Sequence, residues 1–147
     1  MKTRVIGGDM QNFSDAKILF DWANNRQVRN QSLNNQPIRW DTHLDWFWRK
    51  LQDELTKIYI YYNYKQPVGN LRLEYVNNYY KISYLIDEAY QGMGFGKRII
   101  EDVIKKTSVS LKAEVKANNL VSNRIFEKNG FLLQKTNQEL NTWIYVR

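Results

Sequence analysis

The 147-residue chain contains no cysteine, which removes disulfides, thiol nucleophiles and thiolate metal sites from consideration. It has one histidine, His43, so a zinc site of clustered imidazoles is excluded and no metal is expected. Proline occurs only at Pro37 and Pro67, and no repeat, low-complexity tract or Pro/Gly-rich linker divides the sequence. A single domain over residues 1–147 is therefore expected. No window approaches the roughly 18 consecutive apolar residues of a membrane span. The start, Met1 to Asp9, is basic but lacks the apolar run of a secretory signal, and the cytoplasm is the expected compartment. Acidic residues are also scarce: 15 against 22 lysines and arginines, a net charge of +7. Such a field attracts anions without identifying them; nucleic acid and nucleotide phosphates both qualify.

Hydrophobic residues make up 43% of the chain and aromatics 14%, enough for one core and a stacking surface. Helical spacing begins after Ser14, a candidate cap, with Ile18, Leu19, Trp22 and Ala23 on one face. Residues 24–39 are polar and end in Gln36-Pro37-Ile38, which reads as an irregular excursion. A second helix is expected near Asp41 or Thr42, with Thr42 and Asp45 as a capping box and a stripe of Leu44, Phe47, Trp48, Leu51 and Leu55. This stripe leaves His43 on a flank and Trp46 roughly 155° from its centre. Strand signals then follow at 58–62, at Leu71, Leu73 and Tyr75, and at Tyr80, Ile82, Tyr84 and Ile86, with Asn77-Asn78 as a turn. A helix over about 94–106, a strand over 111–116, a helix capped by Asn119 and stopped by Gly130, and strands near 131–135 and 142–147 complete an α/β order with a mixed sheet.

One strand-to-helix junction carries chemistry: Tyr84-Leu85-Ile86-Asp87-Glu88-Ala89-Tyr90-Gln91-Gly92-Met93-Gly94-Phe95-Gly96-Lys97. Glycines let backbone amides approach a phosphate, and the helix N-terminus adds positive potential. A G-x-G-x-x-G fingerprint would need glycine where Lys97 stands. A P-loop is broken at Gln91 and Arg98. Q/R-x-x-G-x-G/A is met in full by Gln91, Gly94 and Gly96. That motif, after a strand, resembles the pyrophosphate-binding signature of the GNAT N-acetyltransferases. Downstream, Ala113 to Phe131 is similar to the same family's strand, Asn, small residue, aromatic, Glu-Lys and Gly-Phe progression, here Asn119, Ser122, Phe126, Glu127-Lys128 and Gly130-Phe131. The resemblance covers about residues 58–147 well and the remainder more loosely.

The resemblance implies a GNAT fold: about six to seven strands, about four flanking helices and a splayed strand pair that forms the CoA cleft. It also implies acetyl-CoA as co-substrate. Leu85 and Ile86 would offer backbone groups to pantetheine, and Gln91, Gly92, Met93, Gly94, Phe95, Gly96 and Lys97 would hold the pyrophosphate. Asn119, Ser122 and Phe126 would line the CoA side. Glu114 takes the position of the family's general base. Phe126 stands where many relatives carry an acidic tyrosine, so that role passes to water, to no group at all, or to another tyrosine such as Tyr84. His43 is a second candidate base, since an imidazole titrates near neutrality.

The N-terminal segments Phe20 to Arg29, Gln36 to Ile38 and Thr42 to Phe47 resemble the subgroup that acetylates nucleotide-linked amino sugars. Trp22, Arg29, His43 and Trp46 are the expected acceptor residues: Arg29 to pair with a diphosphate, and Trp22, Trp40 or Trp46 to stack on a ring. The expected partner is a small-molecule amine, a nucleotide sugar first among them. A protein N-terminus or another small amine is the alternative within the enzyme class, and a nucleic-acid-binding module outside it. No helix gathers Lys and Arg on one face and no RNP-like motif is present, which counts against the latter. No membrane partner is expected, and both monomer and homodimer fit.

Overall fold

Alternating apolar residues in the middle of the chain build a sheet that is buried on both faces. The computed structural model describes residues 1–5 and 13–147. Strands β1 (Lys2–Val5), β2 (Thr56–Asn63), β3 (Gln66–Val76), β4 (Tyr79–Ile86), β5 (Ser110–Lys116), β6 (Leu132–Thr136) and β7 (Leu140–Tyr145) form one sheet of order β1-β2-β3-β4-β5-β7-β6. Helices α1 (Phe13–Ala23), α2 (Arg26–Gln31), α3 (Trp40–Gln52), α4 (Phe95–Lys106) and α5 (Leu120–Lys128) flank it. Among the described residues there are thus five α-helices rather than about four.

The period of two in the strands divides the core. Tyr59, Tyr61, Leu71, Leu73, Ile82, Leu111, Ala113 and Val115 pack with Phe95, Ile99, Ile100 and Val103 of α4 and Phe126 of α5. Ile58 and Ile60, from the alternate positions of β2, pack with Ala16, Leu19 and Trp22 of α1 and Phe47 of α3. The α4–α5 layer and the α1–α3 layer therefore lie on opposite faces. All sheet neighbours are antiparallel except β4 and β5.

That parallel pair opens. β4 and β5 are in register only from Tyr79↔Ser110 to Lys81↔Lys112. Beyond it β4 stays with β3 as far as Ile86, and β5 stays with β7 as far as Lys116. A V-shaped gap in the sheet results, as the expected splayed pair requires. Two local signals hold as read. Asn77 and Asn78 both have positive φ (49° and 70°) in the two-residue β3–β4 hairpin. Gly130, at φ 88°, ends α5 in a Schellman motif: Gly130 N–H donates to Glu127 O and Phe131 N–H to Phe126 O, both 3.1 Å, while the Phe126 and Phe131 rings meet at 5.0 Å.

Several boundaries differ from expectation. Ser14 lies inside α1, which begins at Phe13. Thr42 and Asp45 are interior to α3, whose N-cap is Arg39 without a side-chain cap. Asn24 clamps Ile38 by accepting its N–H at 2.7 Å and donating to its carbonyl at 2.8 Å, so the helix starts as soon as the chain leaves the clamp. Leu55 falls beyond the end of α3 and is 56% exposed. The excursion over 24–39 contains α2, and β1 adds an unforeseen edge strand.

Candidate active site

The Gln91–Gly96 turn borders a cleft at the N-terminus of α4. Asp87 accepts the Ala89 N–H at 2.9 Å and starts a single 3-10 turn over Glu88–Tyr90. The chain then swings through Gly92 (φ 77°) and Gly94 (φ 84°) into α4. Gly94 is the N-cap and has no side chain to satisfy the first-turn amides, and the first helical bond is Arg98 N–H to Gly94 O at 3.2 Å. The amides of Phe95, Gly96 and Lys97 therefore precede the helical ladder and face an outside acceptor, reinforced by the helix dipole. A Cβ built on Gly94 meets no heavy atom within 4 Å, so the space beside the turn is open.

Gly96 is glycine for a different reason. A Cβ there would lie 2.9 Å from Ile125 Cδ1 and 3.3 Å from Tyr84 Cε2, so α4 packs close to α5 and β4 only without a side chain. The other turn residues divide by role. Phe95 points into the core and offers only backbone. Met93 is 62% exposed. Lys97 pairs with Glu101 at 3.2 Å, and Gln91 is exposed and donates Nε2–H to Ile86 O at 3.3 Å. Leu85 and Ile86, at the open end of β4, pack against opposite cores.

Residues of both faces border the V. Tyr84, Glu114, Asn119, Ser122 and Phe126 line its inner part. Asn119 caps α5 by accepting the Ser122 N–H at 3.3 Å, and the Tyr84 and Ser122 hydroxyls are hydrogen-bonded at 2.8 Å. Phe126 is 2% exposed and meets the Tyr84 ring edge to face at 5.8 Å. Glu114 projects from β5 toward the opposite face, away from the buried Ala113 and Val115. It is paired with Lys81 at 3.9 Å. The larger cleft that includes this V has a volume of about 1410 Å³ and runs to Arg29, His43 and Trp46.

At this far end the side chains are already engaged. Trp22 is buried, and its Nε1–H donates to Asp87 Oδ2 at 2.8 Å. It is a core residue that ties α1 to the turn before α4, not a free stacking plate. Arg29 reaches the cleft but donates to Ala23 O at 2.6 Å, Asn34 O at 3.0 Å, Gln36 O at 3.1 Å and Ser32 Oγ at 3.1 Å, so its fork organises the 24–39 excursion. His43 is 4% exposed, with Nε2 3.0 Å from Ala16 O. Its ring packs among Phe20, Trp40, Trp46 and Phe47, and burial lowers its pKa, partly offset by the Ala16 bond. An imidazole so enclosed is a poor proton acceptor from a bound amine. Trp46 lines the cleft, but its ring already packs on His43 and carries the Arg72 guanidinium at 5.2 Å.

Sequence reasoning missed four residues. Arg72, Lys81 and Lys116 border the cleft, and Lys116 also bonds Asn30 O at 2.9 Å, fastening the excursion to β5. Asn123 joins α5 to β5 and β7, donating to Lys116 O and accepting from Trp143 Nε1–H at 2.8 Å. The cations stand at alternate, outward strand positions, where lysine and arginine carry no distinctive signal. Among the described residues no group of three His, Asp or Glu side chains is placed to hold a metal ion, and no helix is long and apolar enough to cross a membrane.

Residues 19–131 match the model of the acetyltransferase (GNAT) family. None of the curated proteins matches the sequence. Among solved structures, the chain is similar to spermidine N-acetyltransferase from Vibrio cholerae in complex with CoA and spermine, with a TM-score of 0.81 and 14% identity over 97% of this chain and 94% of that one. It is also similar to the aminoglycoside acetyltransferase AAC(6')-Ib in complex with coenzyme A, with a TM-score of 0.79 and 15% identity over 99% and 94%. The Campylobacter jejuni N-acetyltransferase PseH in complex with acetyl coenzyme A gives a TM-score of 0.74 and 14% identity over 99% of each chain. At such identities the likeness is one of fold.

Proposed function

This chain belongs to the acetyltransferase (GNAT) family, and on that premise we propose that it transfers acetyl from acetyl-CoA to a primary amine of an anionic small acceptor, an amino sugar linked to a nucleotide. Acetyl-CoA fits as the co-substrate because the uncapped amides of α4 suit a pyrophosphate and the V admits a narrow arm. Gly92 to Lys97 hold the phosphates through their backbone, and Leu85, Asn119 and Ser122 flank the arm. Glu114, on the acceptor face of β5, takes the amine's proton, directly or through water.

The charge of the cleft carries the choice of acceptor. Among the described residues that line it, Arg29, Arg49, Arg72, Lys81, Lys97 and Lys116 are basic, and only Glu114 is acidic. CoA phosphates call for cations at one end. At the other end Arg49, Arg72 and Lys81 would repel a polyamine or an aminoglycoside, both polycations, and attract a diphosphate. Arg49 and Arg72 are themselves paired, to Asp45 at 3.1 Å and Glu74 at 2.7 Å, which holds their forks in place.

The test is acetyl-CoA consumption with four acceptors: a nucleotide-linked amino sugar, the same sugar without its nucleotide, spermidine and an aminoglycoside. The nucleotide-linked sugar should give the highest kcat/KM, at least about tenfold above the free sugar, a difference of about 1.4 kcal/mol, and the advantage should shrink with salt. Glu114→Gln should lower kcat about a hundredfold. Preference for spermidine would overturn the acceptor assignment, and unchanged kcat in Glu114→Gln would remove the base.

A further inference from the structure

A thioester that loses its amine-bound acyl group leaves a thiolate, and the position that resemblance assigns to the acid, Phe126, has no hydroxyl. The V nevertheless contains a tyrosine hydroxyl. Tyr84 projects from β4 into the α4–α5 layer, its ring edge-to-face with Phe126 at 5.8 Å and its hydroxyl 2.8 Å from Ser122 Oγ. Both hydroxyl-bearing residues line the same gap as Glu114, but Tyr84 packs with the layer behind the sheet while Glu114 stands on the acceptor face. Gly96 makes this placement possible, because a Cβ there would lie 3.7 Å from Tyr84 Oη and closer still to its ring.

Resting on the acetyl-transfer reading above, we propose that Tyr84 is the proton donor to the departing CoA sulfur and that Ser122 is its positioning residue. The amine nitrogen bonds to the acetyl carbon, and the carbon–sulfur bond breaks with its electron pair on sulfur. Tyr84 Oη gives sulfur a proton, forming the CoA thiol. Ser122 then donates its hydroxyl to the phenolate oxygen until solvent returns a proton, while the proton released by the amine leaves through Glu114. Acid and base so work from opposite faces of the sheet through one gap, and neither can neutralise the other directly. Burial raises the Tyr84 pKa, with the Ser122 bond opposing, so the phenol stays protonated at neutral pH and is present as a donor.

Tyr84→Phe keeps the ring that packs on Phe126 and Gly96 and deletes only the hydroxyl. Its kcat should fall about a hundredfold, with KM for acetyl-CoA and for the amine within about threefold of wild type. Ser122→Ala, a smaller change, should lose about tenfold in kcat and supplies the same readout if Tyr84→Phe folds poorly. Bound CoA gives a second measurement that needs no turnover. A hydrogen bond from Tyr84 favours the thiolate, so the ultraviolet thiolate signal of bound CoA should appear about one pH unit lower in wild type than in Tyr84→Phe. Equal thiol titration in the two proteins overturns the proposal, as does a Tyr84→Phe kcat within threefold of wild type, or a parallel loss of kcat and CoA affinity, which marks a packing role. Failure of wild type to bind CoA at all would instead sink the acetyl-transfer reading itself.

Discussion

At the α4 end of the cleft, what is offered to a ligand is backbone: amides of Phe95, Gly96 and Lys97 left uncapped by Gly94. At the α1–α3 end it is long side chains, each already held by a neighbour, as Arg29 is by four acceptors and Arg72 by Glu74 and Trp46. The first construction favours an oxyanion, because free amides and the dipole at a helix N-terminus attract negative charge. The second sets a charge and a shape, which more than one acceptor can satisfy. Two bonds join the ends: Trp22 Nε1–H to Asp87 and Asn25 Nδ2–H to Glu88, at 2.8 and 2.7 Å. Helix α1 and the cap of α2 therefore hang from the turn that leads into α4.

The sharpest way to separate the ends is Gly94→Val. A β-branched side chain at φ 84° costs about 1–3 kcal/mol of backbone strain, yet meets no protein atom within 4 Å of its Cβ. The variant should remain folded by circular dichroism while its branched side chain fills the space beside the turn, and CoA affinity measured by calorimetry should fall at least a hundredfold, about 2.7 kcal/mol. Acceptor residues are untouched, so no compensation is expected from them. A folded Gly94→Val that binds CoA normally would show that backbone is not what holds the phosphates.

A smaller effect is expected from Arg29→Met at the other end. Removing the fork strands the carbonyls of Ala23, Asn34 and Gln36 and leaves Ser32 Oγ with its bond to Val28 O alone. The 24–39 excursion should then become sensitive to limited proteolysis, and the acceptor KM should rise about tenfold, with a stability loss of about 1–3 kcal/mol. CoA affinity should be nearly unchanged. Lysine at this position should not rescue, because an ammonium cannot reproduce the planar fork. Equal loss of CoA and acceptor binding would mean that the Trp22–Asp87 and Asn25–Glu88 bonds make the two ends one unit.

The same contrast explains what the sequence disclosed. A left-handed turn and a close helix packing each require glycine, so Gly94 and Gly96 stand out in the sequence at fixed spacing. Asn119, Gly130 and Asn77-Asn78 stand where their residue types predict, whereas Ser14 and Thr42 fall inside helices instead of capping them. A side-chain-built region leaves no such trace. Helix α2, Arg26–Gln31, has no buried residue and is held by Asn25 accepting the Gln27 and Val28 amides, features invisible to hydrophobic periodicity. Strand β1 is only four residues, Lys2–Val5, and exists because β2 offers it a free edge. The stripe of α3 was rotated because histidine counts as polar and Leu55 as apolar. In fact His43 and Phe47 are the buried pair, and Leu55 is outside the helix.

His43 provides the gentlest of these tests, and one confined to the α1–α3 end. Burial lowers its folded pKa below the ordinary value near 6.5, although the bond to Ala16 O opposes the shift. The sign follows from proton counting. As pH drops through about 6.5, the unfolded chain takes up a proton that the folded protein still refuses. Stability contributed by the neutral ring is thus fully present above that pH, declines on acidification, and stops declining once the folded pKa has been passed. The slope cannot exceed about 1.4 kcal/mol per pH unit, the value for one proton. No other histidine is present, and unperturbed carboxylates titrate nearer 4, so the interval between about pH 5 and 6.5 isolates this ring. Chemical denaturation across that interval should show stability falling with pH in wild type and a flat profile in His43→Phe, which keeps an aromatic ring beside Phe20, Trp40 and Trp46. CoA's own phosphate monoester titrates in this interval, so its affinity should follow the same pH profile in both proteins. A slope that survives in His43→Phe would place the titration elsewhere, and with it would go the view that the aromatic box is a structural support for the acceptor end rather than a proton-handling site.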